Sequence, residues 1–158
     1  MSHTHQHHYK VDVVWTGNQG TGTKTYQGYG RDHEIRIDGK PALQGSSDPT
    51  FRGDKGKYNP EDMLVTALST CHMLSYLHQA VLAGVVVTAY TDSAEGSMET
   101  DVHGGHFIEV VLHPVVTITA DSDPAKAEAA HDPAHHGCFI ANSVNFPVRV
   151  VPRIVVGS

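Results

Sequence analysis

Two residues in this chain have the chemistry of a nucleophile that can be oxidised and then restored, Cys71 and Cys138. The thiolate is the attacking form, whether the target is a peroxide or a disulfide. Cys71 lies inside a long uncharged stretch, where a cysteine can equally be a small buried hydrophobe. Cys138 sits in HHGCFIANS, after two histidines and at what reads as a helix start. Imidazolium and a helix N-terminus both favour thiolate, so local signs make Cys138 look reactive. An ordinary half-buried cysteine is the alternative. The two are 67 residues apart, which excludes a local CxxC redox motif.

Other chemical signals are weaker. The glycines of GNQGTGT (residues 17–23) lack the Gly-Lys-Ser/Thr of a phosphate loop, and no helix follows them, so they predict a hairpin turn. His103 and His106, or His131, His135 and His136, lack a strong ligand spacing and read as surface or strand-end histidines. Neither a metal nor a cofactor is expected. Tyr76 and His78 read as packing residues. His3, His5, His7 and His8 mark residues 1–8 as a flexible, histidine-rich terminus, natural or tag-like. One domain is expected from residue 9 to residue 158.

The whole chain narrows the partners. Eleven Lys and Arg against 17 Asp and Glu give a net charge of −6 over 158 residues. That excludes the basic face a nucleic-acid binder needs. Charged residues make up 18% of the chain, below the roughly 25% usual for soluble domains. The low fraction points to surface buried between subunits. The longest apolar run, Ala80 to Tyr90, is broken by Gly84 and is half the length of a membrane span. The opening MSHTHQHHYK has no signal-peptide core, so a cytoplasmic location is expected.

These residues need elements to hold them. Tyr9–Thr16, Lys24–Gly30 and His33–Asp38 read as strands, with Asp38-Gly39 as a hairpin turn. Residues 44–57 read as one irregular loop. Asn59-Pro60-Glu61-Asp62 is a strong helix start, with an Asn cap, Pro at the first position and acids facing the dipole. The helix should end near Ala83, at Gly84. Between Asp62 and Asp92 there is no Lys, Arg, Asp or Glu. Leu64, Ala67, Leu68, Cys71, Leu74, His78 and Val81 form one helical stripe, and Met63, Thr66, Thr70, Met73, Leu77 and Ala80 a second. A helix apolar on nearly all sides is expected to be enclosed on nearly all sides, partly by a second subunit. Two long strands, Val85–Met98 and Gly105–Ala120, should follow, then helices over 123–130 and 134–143 separated by Pro133. Phe146–Val156 reads as a last strand, kept to an edge by Pro147 and Pro152. Strands and helices in blocks predict an α+β fold.

The run YNPEDMLVTALSTCHMLSYLH (residues 58–78) resembles the OsmC/Ohr family, named for osmotically inducible protein C and organic hydroperoxide resistance protein. The family pattern is Asn-Pro-Glu, then a hydrophobic helix with a Cys ten residues after the Glu, as Glu61 and Cys71 stand here. Cys138 fits the second family cysteine and Gly30-Arg31 an early-strand Gly-Arg. Residues 45–54 and 138–148 look like an OsmC-like branch, and Phe139 stands where the family often has Pro. The likeness runs from about residue 9 to residue 156.

The resemblance implies antiparallel sheets around a long buried central helix in an intertwined homodimer. It also implies a thiol-dependent peroxidase active in oxidative-stress defence. Cys71 would attack an organic hydroperoxide and become a sulfenic acid. Cys138 would resolve it as a disulfide, which an external dithiol, lipoyl-type in this family, would reduce. A free Cys is only a few per cent thiolate at neutral pH, and an apolar helix lowers that further. Cys71 therefore needs a cation. Arg31 is the candidate, with Arg36 and Arg52 behind it, and Glu61 would hold the guanidinium by a fork-like pair. Ten helical residues span about 15 Å, so Glu61 acts either along one helix or from a partner chain. The competing reading is a non-catalytic module that binds a hydrophobic ligand and carries a redox-sensing Cys.

Overall fold

The computed structural model describes residues 4–157. Residues 4–8 of the histidine-rich stretch are exposed and irregular, and residues 1–3 lie outside the described part. The chain divides into two units, Met1–Met63 and Leu64–Ser158.

The first unit is built on three short strands, β1 (Asp12–Trp15), β2 (His33–Arg36) and β3 (Leu43–Gly45). They pair antiparallel in the order β1-β2-β3, with Val13 opposite Ile35 and Ile35 opposite Leu43. The Asp38-Gly39 turn forms as expected. Gly39 takes the positive φ of 75° that the turn demands, and the Lys40 amide donates to Ile37 O at 3.0 Å. Lys24–Gly30 is not a strand. It belongs to a loop pinned shut at its base, where the Gly30 amide donates to Gly17 O at 2.7 Å and Trp15 Nε1–H donates to Gly30 O at 2.9 Å. A Cβ on Gly17 would stand 1.9 Å from Gly30 O, so only glycine permits this approach. The third strand is supplied instead by residues that read as loop.

Helix α1 (Pro60–Leu82) runs 23 residues and starts as its sequence dictates. The Asp62 amide donates to Asn59 Oδ1 at 2.8 Å, and Gly84 ends the turn at a φ of 71°.

In the second unit the chain goes on through β4 (Val87–Asp92), β5 (Glu95–Asp101), β6 (Gly104–Leu112) and β7 (Pro114–Ile118). The two long predicted strands are present, but each is broken, near Ser93 and at His113. Helices α2 (Pro124–Ala129) and α3 (His131–His136) follow, then β8 (Val148–Val150) and β9 (Arg153–Val156). Pro133 does not separate two helices as the sequence suggested. It sits in the first turn of α3, where a missing N–H costs nothing. The second short helix therefore ends before Cys138.

Two three-stranded sheets result, β4-β7-β9 and β5-β6-β8. They are not purely antiparallel. The chain returns after two helices, and β8 and β9 run parallel to β6 and β7 at the sheet edges. The break at Pro152 allows one segment to close both sheets. One core cluster joins Tyr76, Ala80, Val85, Val116 and Ile118 to Ala127, Ala130 and Ala134 of the short helices. A second joins Leu68, Val110 and Leu112.

The expectation of an enclosed helix does not hold for the single chain. The buried residues of α1 are Leu68, His72, Tyr76 and Ala80, three steps of i+4. That stripe lies between the two predicted ones. Leu74 is 63% exposed and Val81 73%, although both are apolar. No described helix is long and apolar enough to cross a membrane.

Candidate active site

Cys71 stands midway along α1, half-buried beside the Leu68–Ala80 stripe. Cys138 lies just past the end of α3, 1% exposed, with its amide donating to His135 O at 3.2 Å. Both thiols are free, and Cys71 stands close enough to Cys138 to act on its proton. The fold thus joins two residues that the sequence separates by 67 positions. The Cys71 contact favours the protonated form of Cys138.

Cys138 is not the reactive thiolate its neighbours in sequence suggested. Burial, with the Cys71 contact adding to it, pushes its thiol up to about 11. The backbone amides of Ile140 and Ala141 pull the other way, but burial outweighs them. Cys138 follows the C-terminus of α3, and beyond it only the single 3-10 turn Ala141–Ser143 begins, too short to outweigh burial. Nor does its sulfur have the isolation of an ordinary buried cysteine, since its partner is another thiol.

Arg31 is held entirely by local groups. Nη1–H donates to Tyr29 O at 2.5 Å and Nη2–H to Tyr26 O at 2.7 Å. The guanidinium lies 3.9 Å from the centre of the Tyr29 ring and 4.5 Å from that of Tyr26, a cation–π cradle. Glu61 is in the first turn of α1, half-buried. Among the described residues no ion pair joins Arg31 to Glu61, so the fork-like pair is not formed within the chain. Of the reserve cations, Arg36 is exposed and bonds Glu34, and Arg52 is exposed with a left-handed φ of 65°.

The sequence reading passed over two histidines. His72, the residue after Cys71, is 1% exposed, and His131, read as a surface histidine, is 5% exposed. Their rings meet through His72 Nε2 and His131 Nδ1 at 3.0 Å. Desolvation holds both pKa values down at about 4, so the pair is neutral at ordinary pH. Tyr76 stacks on His131 with ring centres 4.0 Å apart, and its hydroxyl donates to Ala127 O at 2.8 Å. The i+4 series Leu68, His72, Tyr76, Ala80 was the signal that could have found this pair. His78, expected to pack, is exposed instead, as are His103 and His106 at the β5–β6 hairpin.

No group of three or more His, Cys, Asp or Glu is placed to hold a metal among the described residues. Two adjacent free thiols, one protonated and dry, the other half-open, define a dithiol centre on an α+β scaffold. Such a centre can lose two electrons and two protons to become a disulfide.

Comparison with known proteins supplies the lineage. The family described as OsmC-like protein matches residues 53–152. An OsmC-like protein of unknown function from Vibrio cholerae O1 biovar eltor is 31% identical, with a TM-score of 0.84 over 93% of this chain and 99% of that one. An organic hydroperoxide resistance protein OsmC from Legionella pneumophila has a TM-score of 0.68 at 19% identity, over 96% of this chain and 99% of that one. The organic hydroperoxide resistance protein of Bacillus subtilis gives 0.60 at 18%, over 94% and 98%. The last two likenesses speak to the fold alone. Among curated proteins no sequence matches. The chain belongs to the OsmC/Ohr family, as an OsmC-like member.

Proposed function

We propose that this protein is a thiol-dependent peroxidase that reduces organic hydroperoxides in oxidative-stress defence. The observation that carries the reading is that the fold brings two free thiols, Cys71 and Cys138, next to each other across 67 residues of sequence. Cys71 thiolate attacks the outer oxygen of ROOH, the O–O bond breaks, and RO⁻ leaves to take a proton as ROH. Cys71 is now a sulfenic acid. The Cys138 sulfur displaces its hydroxyl, the S–S bond forms, and the Cys138 proton leaves with that hydroxyl as water. An external dithiol, lipoyl-type by family expectation, then reduces the disulfide to two thiols and is itself oxidised.

The asymmetry of the two sulfurs supports this order. A buried thiol raised to about 11 is a poor first nucleophile at neutral pH. It is a good proton carrier for the resolving step. Arg31 is assigned the cation that favours Cys71 thiolate, with its donors and ring contacts holding the guanidinium ready. Glu61 is assigned to steady Arg31 from the partner chain. A homodimer is supported by the apolar side chains left exposed, Leu74, Val81 and Leu82 on α1 and Val13 on β1. The Legionella and Bacillus proteins named for organic hydroperoxide resistance support the substrate class.

The test is a thiol titration. One equivalent of cumene hydroperoxide should consume both thiols of each chain within seconds. Retention of both would leave the hydrophobic-ligand module as the better reading. Cumene hydroperoxide should also be used at least about tenfold more efficiently than hydrogen peroxide, because a buried alkyl tail contributes about 0.8 kcal/mol per CH₂. Equal rates with the same reductant would mean an open, wet site.

A further inference from the structure

The short helices α2 and α3 meet the core through Ala127, Ala130 and Ala134. Alanines offer α1 no knobs to lock against, so apolar packing alone leaves the register of α3 loosely set. Two polar contacts from α1 set it instead, and a third holds α2. Tyr76 Oη–H donates to Ala127 O at 2.8 Å, Ser75 Oγ–H donates to Ala134 O at 2.9 Å, and His72 Nε2 meets His131 Nδ1 at 3.0 Å. Stability does not explain the histidine contact. His72 Nδ1 and His131 Nε2 are buried with no partner, so whichever tautomers are present, one N–H and one lone pair go unmatched. An apolar pair of the same shape would avoid that penalty. What the histidine pair adds is direction, and it adds it at one place. His72 follows Cys71, while His131 opens the helix whose next turn carries His135, the residue whose carbonyl receives the Cys138 amide.

We propose that His72 and His131 are positioning residues: their hydrogen bond fixes α3 on α1 so that Cys138 faces Cys71. This rests on the reading of the two cysteines as a redox pair. Its test needs no peroxide, so the two can fail separately. In glutathione buffers the balance is Cys71–SH plus Cys138–SH plus glutathione disulfide giving the Cys71–Cys138 disulfide plus two glutathione thiols. The protein loses two electrons and the glutathione disulfide gains them, with the two protons. The equilibrium measures the effective concentration of one thiol at the other.

His131→Leu should lower that concentration at least tenfold. His131→Asn, which restores a hydrogen-bonding atom at the Nδ1 position, should return it to within threefold of the natural protein. Tyr76→Phe, which keeps the ring but removes the Ala127 contact, controls for general loosening and should also stay within threefold. An unchanged His131→Leu, or a His131→Asn as weak as His131→Leu, would overturn the proposal. Should His131→Leu not fold, His72→Met takes its place. The imidazole ¹⁵N signals of the natural protein give a second readout through the same titration. Those of His72 and His131 should move with disulfide formation, and signals that ignore it would overturn the proposal. Thiols that exchange normally with glutathione but ignore cumene hydroperoxide would sink the peroxidase reading and leave the positioning role standing.

Discussion

The two units of the chain bury their apolar residues to very different extents. The unit after residue 63 gathers Leu68, Tyr76, Val110, Leu112, Val116 and Ile118 into clusters with almost no exposure. The unit before it buries Ile35 but leaves Val13 at 64% exposure and every β1 residue open. The difference teaches where each proposed part of the chemistry belongs. Both thiols lie in the unit that encloses its own core. The candidate cation, Arg31, lies in the unit that leaves a strand uncovered, and in the proposed dimer a second chain covers that strand. Thiol proximity is then a property of the fold, and thiol activation, on the proposed reading, one of the assembly.

The contrast can be broken most sharply at the thiols. Cys71→Ser should abolish hydroperoxide reduction outright, whereas Cys138→Ser should react once and leave a sulfenic acid that a dimedone-type probe traps. If Cys138→Ser blocks the first oxidation and Cys71→Ser does not, the roles are reversed.

Next in size is the core. Leu68→Ala should lower unfolding stability by about 3–5 kcal/mol, because the site is fully buried and cannot collapse freely. Val13→Asp should leave the circular dichroism of the fold intact and instead split a particle of twice 17.1 kDa, read by light scattering. A dimer that survives Val13→Asp would place the second chain on another face.

Acid should act on the second unit through the histidine pair. Both rings are held down at about 4, while an unfolded histidine titrates near 6.5. Between those values the unfolded chain binds more protons, so stability falls as pH drops from 6.5 to 4 and levels off below. His135 lowers His72 further and Asp92 opposes it, a smaller pull than that of burial. The loss should be about 3 kcal/mol, seen by urea unfolding at pH 7 and pH 4.5. His72→Leu with His131→Leu should flatten that part of the profile.

The smallest of these effects belongs to the open unit. Arg31→Ala should slow the first oxidation about 100-fold, under 3 kcal/mol of barrier, with less effect on stability. A near-normal rate would pass the role to Arg36 or Arg52.

What the sequence made legible follows from range. The start of α1 rests on Asn59, Pro60 and Asp62, and its end on Gly84, all within a few residues of the bonds they make. The same holds for the Gly39 turn. The break between the last two strands follows from Pro152, which has no N–H to continue a ladder. The Asn-Pro-Glu to Cys71 spacing carried the family resemblance. The failures are non-local. Lys24–Gly30 looked like a strand because its closure depends on Gly17, thirteen residues before Gly30. Cys138 looked activated because its burial comes from chain that is distant in sequence. His131 looked like a surface residue because its partner, His72, is 59 residues away.

The parallel strands β8 and β9 bear on the order in which the molecule is made. Val110 pairs with Val148 and Val116 with Ile154, so β6 and β7 emerge from the ribosome long before their edge partners. Parallel pairing across such separations forms late. Until it does, each sheet keeps one open side, and on β7 that side runs along Val115, Val116, Thr117 and Ile118, a β-branched ladder able to template another chain. Residues 153–156 therefore act as the molecule's own edge guard, covering the β7 ladder that would otherwise stay open.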